Sequence, residues 1–93
     1  MAWEIPEEVT TFEEIKTYKV YYRGEVVLEK DEPLTPVDII EAARMAGLSG
    51  KIDIKDFQDR DIKNYNGKLV VIVNGEVEDY VGDVILIPRF TAA

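Results

Sequence analysis

From residue 18 onward the chain gathers its apolar residues into short blocks parted by turn-forming residues. Tyr18-Lys19-Val20-Tyr21-Tyr22 and Glu25-Val26-Val27-Leu28-Glu29 are two runs of strand formers. Arg23-Gly24 between them predicts a tight hairpin, because glycine reaches the positive φ that such a turn needs. Asp31-Glu32-Pro33 ends the second run. Thr35-Pro36-Val37-Asp38 then predicts a helix start: Thr35 offers a capping oxygen, Pro36 suits the first turn, and Asp38 faces the positive end of the helix dipole. Within Ile39-Ile40-Glu41-Ala42-Ala43-Arg44-Met45-Ala46 the expected inward stripe is Ile39, Ile40, Ala43 and Ala46, with Ile40 in the core. Gly47-Leu48 is a helix stop in which the leucine folds back.

The second half predicts strands. Lys51-Ile52-Asp53-Ile54-Lys55 alternates strictly and reads as a half-buried strand suited to a sheet edge. Residues 56–66 are polar and read as a loop with one helical turn, closed by the Asn66-Gly67 turn signal. The continuous run Leu69-Val70-Val71-Ile72-Val73 predicts a central strand, and Asn74-Gly75 turns it into a short return at Glu76-Val77-Glu78. After a turn at Gly82-Asp83, Val84-Ile85-Leu86-Ile87 predicts a last strand stopped by Pro88. Hairpin, helix and further strands make an α+β domain in which one main helix covers one face of a mixed sheet, since neither layer buries its apolar side alone.

The first residues differ. Residues 1–17 form an acidic extension: Glu4, Glu7, Glu8, Glu13 and Glu14 precede the first lysine, Lys16. Ile5, Val9, Phe12 and Ile15 recur at helical spacing, with Pro6 suited to a first turn. Thr11 and Glu14 equally fit a capping box for a shorter turn. The extension reads either as a loosely packed terminus or as an arm that docks on a partner through Trp3 and Phe12.

Composition narrows the chemistry. The 93 residues suffice for one core, with 46% hydrophobic and 32% charged residues. There is no cysteine and no histidine, which removes thiolate nucleophiles, cysteine metal sites and the usual general base. Lys+Arg is 11 against 19 Asp+Glu, a net charge of -8, which disfavours nucleic acid and anionic membranes and suits a basic protein partner. No apolar run approaches the roughly 20 residues of a membrane helix, and a cytoplasmic address is expected.

The last quarter carries a resemblance. Val71-Ile72-Val73-Asn74-Gly75-Glu76-Val77, followed after a short spacer by Gly82-Asp83-Val84-Ile85-Leu86-Ile87-Pro88, resembles the sulfur-carrier branch of ubiquitin-like proteins, which includes the small subunit of molybdopterin synthase and the carrier of thiazole synthesis. The resemblance covers residues 71–88 in sequence and 18–93 in element order. It implies a β-grasp domain over residues 18–88 and a functional tail, Arg89-Phe90-Thr91-Ala92-Ala93, that enters an ATP-dependent activating enzyme. In the family the tail ends in Gly-Gly, whose carboxylate is adenylated and becomes a thiocarboxylate or an isopeptide bond. Here Ala92 and Ala93 stand at those positions. Their methyl groups obstruct a narrow channel that glycine passes freely, so as written the chain is inactive or inactivated as a carrier. The implied partner is an activating enzyme or a sulfur-accepting enzyme, with no metal or cofactor held by the chain itself.

Tyr21 and Tyr22 point to opposite sheet faces, so one aromatic lies on the open face, and Tyr21 with Val27 is the expected partner-binding pair. Asp53, Asp56, Asp59 and Asp61 lack the ligand spacing of a calcium loop and read as a solvated acidic loop or a docking surface for basic groups. Glu76/Glu78 and Glu29/Asp31 are paired carboxylates without a cleft, so catalysis by the chain is not expected. The alternative function is an acidic inhibitor or accessory subunit on a basic, nucleic-acid-binding protein surface; a small structural subunit of a larger enzyme is a further reading.

Overall fold

The computed structural model describes residues 16–89. The elements are β1 (Tyr18–Tyr22), β2 (Glu25–Lys30), α1 (Pro36–Met45), β3 (Ile52–Lys55), β4 (Asp61–Tyr65), β5 (Lys68–Val73), β6 (Glu76–Asp79) and β7 (Val84–Pro88). The strands form one mixed sheet in the order β2-β1-β7-β3-β4-β5-β6. β1 and β7 run parallel and every other pair is antiparallel. With the single helix of the described residues on one face, this is an α+β, β-grasp-like fold.

Local chemistry explains the punctuation. Three two-residue turns, Arg23-Gly24, Asn66-Gly67 and Asn74-Gly75, have positive φ at both positions. That is the type I′ pattern, whose twist matches the flanking strands. The helix opens on a capping box: the Asp38 backbone N–H donates to Thr35 Oγ1, and Asp38 Oδ2 accepts from the Thr35 N–H at 2.8 Å. Lys30 Nζ lies 2.9 Å from the same carboxylate oxygen. Burial alone would raise the Asp38 carboxyl, but the bonds from Lys30 and Thr35 outweigh it and hold the group below its usual range. The helix closes with Gly47 at φ +72°, its N–H bonded to the Arg44 carbonyl and the Leu48 N–H to Ala43. This Schellman arrangement folds Leu48 onto the core.

The core lies between α1 and the sheet. Ile39, Ala42 and Ala43 meet Val20, Ile62, Leu69, Val71, Val84 and Leu86. Val20 and Val84, paired across β1 and β7, are wholly shielded from solvent. Each such burial is worth about 1.5–3 kcal/mol.

Five expectations change. Ile40 is 69% exposed, and Ala42 takes the inward place. The stripe runs through 39, 42, 43 and 46, the i, i+3, i+4, i+7 pattern, so Ile40 falls beside Val37 and Arg44 on the outer side. Residues 61–65 form β4 rather than loop, because β3 and β5 supply pairing partners on both sides. β3 is therefore interior, between β7 and β4, and the sheet edges are β2 and β6. β5 has buried Leu69, Val70 and Val71, but it neighbours the β6 edge and leaves Ile72 55% exposed. Pro88 closes β7 inside the strand, opposite Ile52.

Candidate interaction surface and tail base

The alternation of each strand sorts its residues between the helix-covered face and the open one. On β1, Val20 enters the core, so Tyr21 points to the open face. It pairs with Val26 of β2 on one side and with Ile85 of β7 on the other. Phe57, from the loop after β3, sets its ring edge-on to Tyr21, with centroids 5.2 Å apart at 79°. Pairs of this kind add about 0.5–1.5 kcal/mol beyond their buried area. Val26, Phe57 and Ile87 are exposed around this centre.

Val27 does not sit beside Tyr21. Val20 opposes Leu28 while Tyr21 opposes Val26, so Val27 is the extra residue of a β-bulge. It lies half-buried against the core, and Val26 occupies the open-face position. Tyr22 likewise turns toward the core, with the Arg23 guanidinium 5.9 Å from its ring centre.

On β7, Ile85 and Ile87 share the open face, and Arg89 continues the same alternation. The Arg89 backbone N–H donates to the Lys51 carbonyl at 2.9 Å. Its Nε donates to Asp53 Oδ2 at 2.5 Å, and Asp53 is the residue opposite Ile87. The bond to Asp53, reinforced by its charge, raises the Arg89 guanidinium above its ordinary value. An apolar stripe, Tyr21-Ile85-Ile87, thus runs to a salt-bridged arginine at the base of the tail. Phe90, Thr91, Ala92 and Ala93, like Trp3 and Phe12, lie outside the described residues.

The four aspartates between 53 and 61 separate into different roles. Asp56 is buried, not solvated. Its Oδ1 accepts the backbone N–H groups of Gln58 at 3.0 Å and Arg60 at 2.8 Å, and its Oδ2 accepts Arg60 Nε at 2.7 Å. Burial pushes its carboxyl up, but the bonds from Arg60 and Gln58 prevail and hold it below the usual carboxylate range. Asp59 and Asp61 flank Lys55, at 3.1 and 3.9 Å. Among the described residues no group of three or more acidic side chains converges as a metal cage would require. Glu76 and Glu78 stand exposed on the β6 edge.

Reading the sequence placed Tyr21 on the open face but missed Val26, Phe57, Ile85 and Ile87; it offered Asp53 as a docking group for a partner's bases, whereas Asp53 pairs with Arg89 of the same chain. The alternation within Val84–Ile87 was the available signal for the two isoleucines; Phe57 has none, since a loop brings it back. Among the described residues no helix is long and apolar enough to cross a membrane. Comparison with protein-family models, curated proteins and solved structures finds no match to this chain.

Proposed function

We propose that this chain is a ubiquitin-like protein of the sulfur-carrier or modifier type, which docks on an ATP-dependent activating enzyme through its open sheet face and its tail. The observation that supports the reading is the continuity of the open-face stripe Tyr21-Ile85-Ile87 with Arg89, the residue that precedes the tail. A partner seated on the stripe reaches Arg89, from which the tail follows in sequence. Chemistry and ATP belong to the partner. Ala92 and Ala93 occupy the positions of the carriers' glycines, so this sequence binds without efficient transfer.

The test is calorimetric titration of the chain against purified activating enzymes of the molybdopterin and thiazole carriers. Micromolar binding is expected, and Ile87→Glu should weaken it about tenfold or more, as loss of a central apolar contact does. Ala92→Gly with Ala93→Gly should raise ATP–pyrophosphate exchange. Absence of binding to both enzymes defeats the reading.

A second reading rests on β6, where Glu76, Val77, Glu78 and Asp79 are all exposed on a sheet edge of a chain with net charge -8. It makes the protein an acidic accessory subunit on a basic protein surface. Such binding weakens steeply with salt, whereas an apolar stripe holds its partner.

A further inference from the structure

The open face of the sheet carries a pattern that complements itself. Residues directly opposite one another on neighbouring strands share a face, so two rows can be followed across it. One runs Tyr21 (β1), Ile85 (β7), Lys55 (β3), Asp61 (β4), Ile72 (β5) and Val77 (β6). The next holds Ile87 (β7), Asp53 (β3), Lys63 (β4), Val70 (β5) and Asp79 (β6). At the centre β3 presents Lys55 and Asp53 while β4 presents Asp61 and Lys63, so the signs alternate in both directions. Apolar groups flank this centre: Ile85, Tyr21 and the exposed Phe57 on one side, the exposed Ile72 and Val77 on the other.

One of the two central charge pairs does not close within the chain. β3 and β4 pair only at Ile54–Ile62 and Lys55–Asp61, and beyond these they part around a cleft lined by Asp53, Lys63 and Arg89. Asp53 binds Arg89, and Lys63 forms no ion pair among the described residues.

A half-turn about a line in the contact plane, running along the strands between β3 and β4, lays this face on a copy of itself. β3 then covers the copy's β4, β7 its β5 and β1 its β6. Lys55 comes over the copy's Asp61 and Asp53 over its Lys63, each contact being made twice; Ile85 comes over Ile72, and Tyr21 over Val77. This is the residue pattern of an isologous interface. Stacked sheets lie about 10 Å apart and cross at about 30°, a rotation that displaces groups near the axis least. The like-charge contacts of the arrangement lie at its margins, where Arg89 comes over Lys68 and Asp59 near its own copy. Arg89 and Asp59 are already paired, with Asp53 and Lys55.

We infer that the open sheet face is the contact between two copies of this chain, centred on Lys55–Asp61 and Asp53–Lys63 pairs that cross between them. The dimer covers the Tyr21-Ile85-Ile87 stripe, so it and a complex with an activating enzyme exclude each other. The inference does not rest on the carrier reading and is tested on the chain alone.

The test is sedimentation equilibrium of the full chain from about 10 μM to about 1 mM, the range of weak complexes. A monomer–dimer equilibrium is expected. Lys63→Glu and Asp53→Lys should each weaken it about tenfold or more, because like charges then face one another across the axis. An equimolar mixture of the two variants should dimerise like the original chain, since the half-turn sets each introduced charge against its opposite. Ile72→Glu, on the apolar flank, should weaken the dimer without altering the central charges. Thermal melting by circular dichroism verifies that each variant is folded. A chain that stays monomeric at about 1 mM overturns the inference. So does a dimer that none of the three substitutions weakens, or a mixture that dimerises no better than the two charge variants apart.

Discussion

Arg89 and Asp53 stand 36 positions apart in sequence, yet the guanidinium of one meets the carboxylate of the other at 2.5 Å on the open face of the sheet. Both are partly solvated, so the pair is a positioning device more than a source of stability. Asp53→Asn is expected to leave the melting temperature essentially unchanged. It should accelerate hydrogen exchange at the Arg89 N–H, which is bonded to Lys51. Unchanged exchange would show that the backbone bond alone holds the tail base.

Gly82 differs from the turn glycines. Its φ is ordinary, but an added Cβ would come within 2.8 Å of Tyr80 Oη and 3.1 Å of the ring carbon bearing it. That hydroxyl donates to the Asp83 carbonyl at 2.6 Å. Gly82→Ala should therefore cost about 1–3 kcal/mol by overpacking. Tyr80→Phe should cost about 1 kcal/mol for the lost hydrogen bond. Combined, the two should cost less than their sum, because the offending oxygen is gone. Chemical denaturation of the four proteins closes the cycle; strict additivity would refute the steric account.

Asp56 predicts an acid-sensitive loop. Its folded-state carboxyl lies below the ordinary value, so the stabilisation is fully present above the unfolded value of about 3.9 and is lost as pH falls through the lower folded value. The native protein should lose stability progressively below about pH 4. Asp56→Asn should be less stable near neutrality, by about 1–3 kcal/mol for the N–H groups it leaves poorly satisfied. The difference between the two should shrink as pH falls. Urea midpoints measured across that range check the sign.

The phase of α1 is testable by contrast. Ile40→Lys, on the solvent side, should change stability by no more than about 0.5 kcal/mol. Ile39→Ala should cost about 2–4 kcal/mol, because Ile39 is buried against the sheet. Equal costs would mean the helix is rotated from the described position.

Where chemistry is local, the fold was legible. The Thr35–Asp38 cap, the Gly47-Leu48 stop, the Arg23-Gly24 and Asn74-Gly75 hairpins and β7 follow from neighbours within a few residues. β4 was not legible, since Asp61-Ile62-Lys63-Asn64-Tyr65 offers one buried apolar residue and its extended state is imposed by strands on both sides. Ile40 was misplaced because two apolar residues in succession fit stripes one position apart, and only the sheet decides between them. Tyr21 could be found by alternation. Val26 in place of Val27 depends on a bulge, and Phe57 on a loop's return, neither of which sequence spacing encodes.

The place of β7 has a consequence for assembly. It lies between β1 and β3, and neither strand has another neighbour joining the two sides of the sheet. Before residues 84–88 are inserted, the hairpin with its helix and the β3-to-β6 meander are separate half-sheets. Each half is closed by local turns and can form early, since short loops cost little entropy. Completion waits for β7, the last of the described strands in chain order, whose approach also brings Asp83 Oδ1 to within 2.9 Å of the Lys19 N–H, 64 positions earlier. During synthesis, then, the domain gains its core in one late step, when the strand that leads into the tail slides between the two halves.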